Sequence, residues 1–265
     1  MIINIIPIQM TTYNRLSYTK RAVEAILKNT DLPFKLFIFD NNSTDGTQKW
    51  LKTIDDSRVE IYCSDINTGM IHPKNWLLEK FPHVRYISFV DNDCIMPKGW
   101  LPKFKDVMDN YPLFEVMADH FLGFPYKLKD NQEFYNHLYS VDFKGEKIYC
   151  YQFVGGAGNL IRRQLIKEPV PEMKGTLNGW VEYCKDKFFS ENHVSAFYSG
   201  VFMELCDMVG TNQKIYEFPQ YKAELERLGR SDFGWIEFDD QAKATLAKLA
   251  EIIKQRFENS KINEI

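Results

Sequence analysis

The chain has 265 residues, 45% of them hydrophobic, and a formal net charge of −3. That length buries one large core, or one core with an appendage. The near-neutral balance excludes a whole-chain basic footprint for nucleic acid, and no apolar run approaches the roughly 20 residues that span a bilayer.

Residues 2–8 are a β-branched run that reads as a first strand rather than a signal peptide. Residues 15–29 carry Tyr18, Ala22, Ala25 and Ile26 at helical spacing. Residues 34–39 form a second strand that ends at Asp40, and residues 47–54 a short helix. A third strand over 59–63, a helix over 73–81 and a strand over 86–90 that ends at Asp91 follow. Strands alternating with helices predict a doubly wound, parallel sheet. Ligands of such sheets bind at the carboxyl ends of the strands. The polar stretches 11–15, 40–45 and 91–93 are therefore expected on one rim.

The second half is less regular. An aromatic segment over 114–151 precedes Gly155-Gly156-Ala157-Gly158. A helix over 177–188 and an apolar run over 194–203 come next. Residues 242–257 place Leu246, Leu249, Ile252 and Ile253 on one face, an amphipathic helix docked on the domain. Five cysteines, at 63, 94, 150, 184 and 206, are scattered without a C-x-x-C pair. They predict buried free thiols in a reducing compartment, the cytoplasm.

Four polar stretches carry chemistry. In Asp91-Asn92-Asp93 two carboxylates at a strand end can face one divalent cation, and hard oxygens suit Mg²⁺ or Mn²⁺. Such an ion bridges a diphosphate and neutralises charge on its leaving group. Taken alone, the tripeptide also reads as a strand-ending turn. Asp40 is placed to accept hydrogen bonds from a nucleobase or ribose, while Asn42, Ser43 and Asp45 suit a turn and a helix N-cap. Thr11-Thr12-Tyr13-Asn14-Arg15 precedes a helix whose first N–H groups favour an anion; Tyr13 or Arg15 is also suited to pack on a base. Asn67-Thr68-Gly69 permits close backbone approach, and Lys74 either faces a phosphate or is solvated.

In order and spacing, T-x-Y-N-R, D-N-N-S-T-D-G-T, N-x-G-x5-N and D-x-D resemble the family 2 glycosyltransferases of the GT-A fold over roughly residues 1–100. The resemblance implies a Rossmann-like, doubly wound, mostly parallel sheet with a smaller acceptor-side sheet and C-terminal helices. It implies a nucleotide-sugar donor, usually UDP-linked, a divalent metal and inversion at the anomeric carbon. Thr11, Tyr13, Arg15, Asp40, Asn42, Asn67, Gly69, Lys74, Asp91 and Asn92 are then the nucleotide-side residues. Asp91, Asp93 and Asp207 are the metal side, with Glu204 as another carboxylate where relatives place a histidine, and His193 as a weaker candidate. The glycine loop ending in Arg162-Arg163 resembles an acceptor-side strand, and Asn178-Gly179-Trp180-Val181-Glu182 resembles the helix start that carries the general base. Tyr183 replaces the second acid there, so Glu182 or Asp186 is the base.

These assignments divide the chain into a nucleotide-sugar-binding half (1–110), an acceptor-binding and catalytic half (111–220) and a helical extension (221–265). The expected activity is transfer of a single sugar to a hydroxyl acceptor, a glycan by default. A nucleic-acid acceptor is permitted but not favoured. The alternatives are a DNA-base-modifying glycosyltransferase and a non-catalytic protein that binds sugar nucleotides.

Overall fold

The apolar segments of the first half become strands, and the inner ones are covered on both faces. In the computed structural model, which describes residues 5–119, 126–127, 131–152, 158–171, 183, 187, 189–206 and 236–262, β1 (Ile6–Thr12) and β2 (Phe34–Asp40) are buried along nearly their whole length. Continuous apolar runs, rather than alternating ones, mark a parallel sheet sandwiched between helices. Between them runs α1 (Leu16–Asn29), and after β2 come α2 (Thr47–Leu51), β3 (Val59–Cys63), α3 (Ile71–Lys80) and β4 (Tyr86–Asp91). The short β5 (Cys94–Ile95) and α4 (Trp100–Asn110) complete the first half.

The second half adds β6 (Phe114–Asp119), β7 (Tyr126–Lys127), α5 (Asn131–Tyr135), β8 (Tyr139–Phe143), β9 (Glu146–Tyr151), β10 (Asn159–Arg162), β11 (Val194–Tyr198), β12 (Glu204–Leu205) and β13 (Ile236–Glu237). One nine-stranded sheet runs β3-β2-β1-β4-β10-β6-β11-β9-β8. β10 and β9 run against their neighbours, so the sheet is mostly parallel. A smaller sheet pairs β5 with β12 directly after the Asp91-Asn92-Asp93 turn. β7 and β13 form a second two-stranded pair.

Several elements differ from their sequence-based bounds: the helix expected over 47–54 ends at Leu51, and the one expected over 73–81 runs Ile71–Lys80. Residues 1–4 lie outside the described residues, and β1 continues to Thr12 because its parallel pairing with β2 runs through Thr12↔Asp40. The final helix, α6 (Asp240–Ile262), is longer than expected. Its inner stripe is Ala242, Leu246, Leu249, Ile253 and Phe257, with Phe257 packed against Tyr111, Phe114 and Tyr139. Ile252, expected on that stripe, is 44% exposed. Leu246, Leu249 and Ile253 already follow the three-then-four spacing of one face, and residue 252 falls beside it.

The basic pair Arg162–Arg163 sits at the end of the sheet away from the rim, because β10 is antiparallel. Arg162 donates to the carbonyls of Phe114 (2.6 Å), Tyr111 (3.1 Å) and Met108. Arg163 donates to those of Phe81 (3.0 Å), Leu78 (2.9 Å) and Ile166. The two guanidiniums thus satisfy the orphan carbonyls that end α4 and α3. They are structural caps and not an acceptor-side basic patch.

Glu115 lies on the same far side, fully buried in β6. The Ser195 hydroxyl donates to its Oε1 at 2.9 Å, and Oε2 is buried with no hydrogen-bond partner. Burial pushes its carboxyl up to about 8, against the pull of Ser195 and the distant charge of Arg256. Among the described residues no helix is long and apolar enough to cross a membrane.

Candidate active site

The register of the parallel strands aligns the polar residues. Thr12 pairs with Asp40, Asp40 with Cys63, and Thr11 with Asp91, so the ends of β1, β2, β3 and β4 share one rim. The loops above that rim are laced to one another. The Asn14 amide donates to Ser43 Oγ (2.7 Å), and the Thr44 amide donates to Asn14 Oδ1 (2.9 Å). Asn41 holds the third loop: its Nδ2 donates to the Gly69 carbonyl (2.7 Å), and its Oδ1 accepts from the amide and hydroxyl of Thr68. Gly69, at φ +76, supplies a backbone conformation that other residues adopt only under strain.

Asp45 caps two helices at once. Oδ1 accepts from the Thr47 amide and hydroxyl, and Oδ2 accepts from the Leu16 amide at 2.9 Å, the first residue of α1. Burial works to raise its carboxyl, but these hydrogen bonds outweigh it and hold the group below its ordinary value of 3.8. A depressed carboxyl stabilises the fold above its unfolded value, and that contribution is lost as pH falls through the folded one. Asp45→Ala removes both caps, at about 1 kcal/mol each. We expect about 2 kcal/mol less stability in urea denaturation at pH 7; a loss below half of that contradicts the double cap.

Arg15 and Asp93 meet across this rim. Arg15 follows Asn14 in the left-handed region, at φ 65 after φ 56. Its guanidinium donates from Nη2 to Asp93 Oδ2 at 3.0 Å, with the two side chains only 8% and 11% exposed. It also lies over the Tyr18 ring, 4.9 Å from the centroid. Asp93 Oδ1 has the Cys94 thiol at 3.6 Å, and the Asp93 carbonyl accepts from the Cys206 amide at 2.9 Å. Asn92 turns inward, its Nδ2 donating to Thr12 Oγ1 (3.2 Å) and Thr19 Oγ1 (3.0 Å). It positions the turn that carries the two aspartates.

Asp40 is the most unusual rim residue. It is fully buried. The Ser43 amide (2.9 Å) and Gln48 Nε2 (2.7 Å) both donate to Oδ1, while Oδ2 is buried with no hydrogen-bond partner. Its register neighbour Cys63 carries a thiol raised by burial and by the Asp40 charge, which places the two groups on one face.

The other expected residues are distributed as follows. Tyr13 is 41% exposed at the loop crest, and Asn42 is exposed with left-handed backbone. Thr11 is half-buried and accepts from Gln9 Nε2 at 3.1 Å. Asn67 accepts from the Gly69 amide at 2.9 Å, closing a short turn. Lys74 is buried on the inner face of α3, its Nζ 4.4 Å from the Phe89 ring centroid, and not solvated.

Glu204 is exposed and pairs with Arg21 of α1 at 2.8 Å. His193 precedes β11 and therefore lies at the end of the sheet opposite the rim, so it does not join this site. The space at Gly158 is filled by the side chains of Met96 and Met203. Glu182, Asp186, Asp207 and residues 155–157 lie outside the described residues. Among the described residues no group of three His, Cys, Asp or Glu side chains could hold a metal.

Motif reading does not reveal Asn41, Asp45 as a cross-cap, Gln48 or Cys63. Each acts through a partner that the strand register brings near. The D-N-N-S-T-D run contains two of them, but spacing alone does not say which loop each one holds.

Sequence and fold comparisons bear on the family and the fold. A family model described as Glycosyl transferase family 2 matches residues 8–168. An Escherichia coli relative, "UDP-Glc:alpha-D-GlcNAc-diphosphoundecaprenol beta-1,3-glucosyltransferase WfgD", is 28% identical over 91 residues, which are 34% of this chain and 36% of that protein. The alignment thus spans about a third of each. The Pyrobaculum calidifontis mannosyltransferase PcManGT, solved with GDP-Man and Mn²⁺, superposes with a TM-score of 0.59 at 14% identity, covering 97% of this chain and 75% of that one. S. aureus TarS 1-349, solved with UDP-GlcNAc, gives 0.56 at 16% identity, covering 96% and 73%. At these identities the structures establish the fold, which is GT-A. Because the family match extends over more than half of its length, the chain belongs to the family 2 glycosyltransferases.

Proposed function

We propose that the chain transfers a single sugar from a UDP-sugar to a hydroxyl acceptor, with a divalent metal holding the diphosphate. The observation that supports a uridine donor is the half-satisfied carboxylate of Asp40. One oxygen is consumed by Ser43 and Gln48, and the other is buried without a partner. A buried acceptor left unmet costs about 1–3 kcal/mol. Uracil offers a single imide N–H, which matches a single vacant oxygen. Guanine offers two adjacent donors on its pairing edge and suits a carboxylate with both oxygens open. The relative from Escherichia coli is named for UDP-Glc and TarS was solved with UDP-GlcNAc, whereas PcManGT was solved with GDP-Man.

The residues of the rim fit a divalent ion shared with a diphosphate. Asp91 and Asp93 supply hard carboxylate oxygens at the end of β4, and phosphate oxygens complete such a shell. The metal, Mn²⁺ or Mg²⁺, would act as a Lewis acid on the departing diphosphate. Asp207 is the proposed third carboxylate. Glu182 or Asp186 would take the proton from the acceptor hydroxyl, giving inversion. Residues 1–110 form the donor half in this reading and 111–220 the acceptor half, which takes a glycan or another hydroxyl compound. The free thiols at Cys63 and Cys150 fit a reducing compartment, the cytoplasm.

Calorimetry with UDP, GDP and ADP in the presence of Mn²⁺ tests the donor. UDP should bind at least about tenfold more tightly than either purine nucleotide. Asp40→Asn should weaken UDP by about 10- to 100-fold, because an amide N–H would face the imide N–H. Equal binding of all three nucleotides, or a preference for GDP, would reject the uridine assignment.

A further inference from the structure

We propose that Arg15 is an electrostatic gate on the divalent-ion site, closed to free metal and opened by a nucleoside diphosphate. The proposal rests on the reading of Asp91 and Asp93 as the metal-side carboxylates. Three observations carry it. Arg15 Nη2 sits on Asp93 Oδ2 at 3.0 Å, and both side chains are nearly buried, so the guanidinium occupies an oxygen that a cation would need.

The contact is also built. Asn14 and Arg15 are consecutive non-glycine residues in the left-handed region, which costs free energy unless the surroundings enforce it. Here Ser43, Thr44 and Asp45 enforce it through hydrogen bonds to Asn14 and to the Leu16 amide that follows Arg15. Asp93 is fixed from the other side, its carbonyl held by the Cys206 amide.

Charge explains the direction of the gate. Arg15 cancels the charge of Asp93, so Asp91 alone is left to attract a free divalent ion. A free divalent ion entering beside the guanidinium meets repulsion in a poorly solvated pocket. A nucleoside diphosphate brings further negative charge and phosphate oxygens that accept bidentate hydrogen bonds from arginine. Arg15 can then pass from Asp93 to phosphate, freeing Oδ2 for the metal. Nucleotide and metal should bind together, with the metal waiting on the nucleotide.

A contrary role makes the opposite prediction. If Arg15 only orients Asp93 as an outer partner of a metal ligand, its removal should weaken metal binding by about 10- to 100-fold. Electron paramagnetic resonance of free Mn²⁺ separates the two without using activity. The wild-type chain should bind Mn²⁺ at least about tenfold more tightly with UDP than without it. Arg15→Gln should bind Mn²⁺ alone at least about tenfold more tightly than wild type and lose most of the UDP dependence. Arg15→Lys, which keeps the charge, should stay closed, and circular dichroism reports whether each variant is folded.

Unchanged or weaker Mn²⁺ binding by folded Arg15→Gln would overturn the gate. So would wild-type Mn²⁺ binding that ignores UDP, a result independent of any variant. Failure of the wild-type chain to bind UDP and Mn²⁺ under any condition would instead reject the donor-site reading beneath it.

Discussion

Asp93→Asn is expected to lower sugar transfer by about a hundredfold to a thousandfold, the range for losing one electrostatic stabiliser of developing charge. The departing diphosphate gains negative charge as the glycosidic bond breaks. A metal held by a carboxylate answers that charge, while an amide holds the metal poorly. The substitution also touches stability, because Asp93 is the near-buried partner of Arg15. Removing one partner of a buried ion pair costs about 3–5 kcal/mol, and an asparagine oxygen that still accepts from Arg15 reduces this to about 2 kcal/mol. Turnover must therefore be measured well below the melting temperature, on protein whose circular dichroism matches wild type. A folded variant that keeps more than a tenth of wild-type turnover would remove Asp93 from the metal role.

Glu115→Gln should have the largest effect on stability, and its sign depends on pH. The native carboxyl titrates at about 8 and the unfolded one at 4.5, because burial disfavours the charged form. A group raised in the folded state contributes fully below its unfolded value and progressively less as pH rises toward the folded one. Between pH 5 and pH 8 the wild type should therefore lose stability. At pH 7 the penalty is on the order of 3 kcal/mol. Glutamine keeps an oxygen for the Ser195 hydroxyl and carries no charge, but its amide N–H groups meet no acceptor where Oε2 has none, at about 1–3 kcal/mol. The variant should therefore be less stable than wild type near pH 4 and overtake it by pH 8. Urea midpoints across that range decide the matter. Parallel wild-type and variant profiles would mean that Glu115 does not titrate in this window.

The first half was legible because its polar residues sit where the strands end. Asp40 and Asp91 terminate apolar runs, and a parallel sheet collects such ends on one rim. The motif spacing therefore located the loops before any contact was known. What joins those loops was not legible. Arg15 and Asp93 are 78 positions apart and Asn41 and Gly69 are 28 apart. Which polar side chain faces which follows from strand register and from left-handed residues such as Asn14, Arg15 and Asn42.

The second half was harder for a related reason. Its strand order, β10-β6-β11-β9-β8, departs from chain order, and short aromatic segments do not announce their partners. Arg162 and Arg163 were read by resemblance as the basic end of an acceptor-side strand because charge is visible in a sequence, whereas the orphan carbonyls of α3 and α4 that they satisfy are not. Ile252 was placed on the inner stripe of α6 because apolar type outweighed angle; the helix turned it outward.

The most direct test of the donor assignment is nucleotide release from a panel of UDP- and GDP-sugars, with Mn²⁺ and with chelator. A metal-dependent, UDP-linked donor predicts UDP release from at least one UDP-sugar, abolished by chelation and absent with the GDP-sugars. Release from GDP-sugars alone, or release unchanged by chelator, would contradict it.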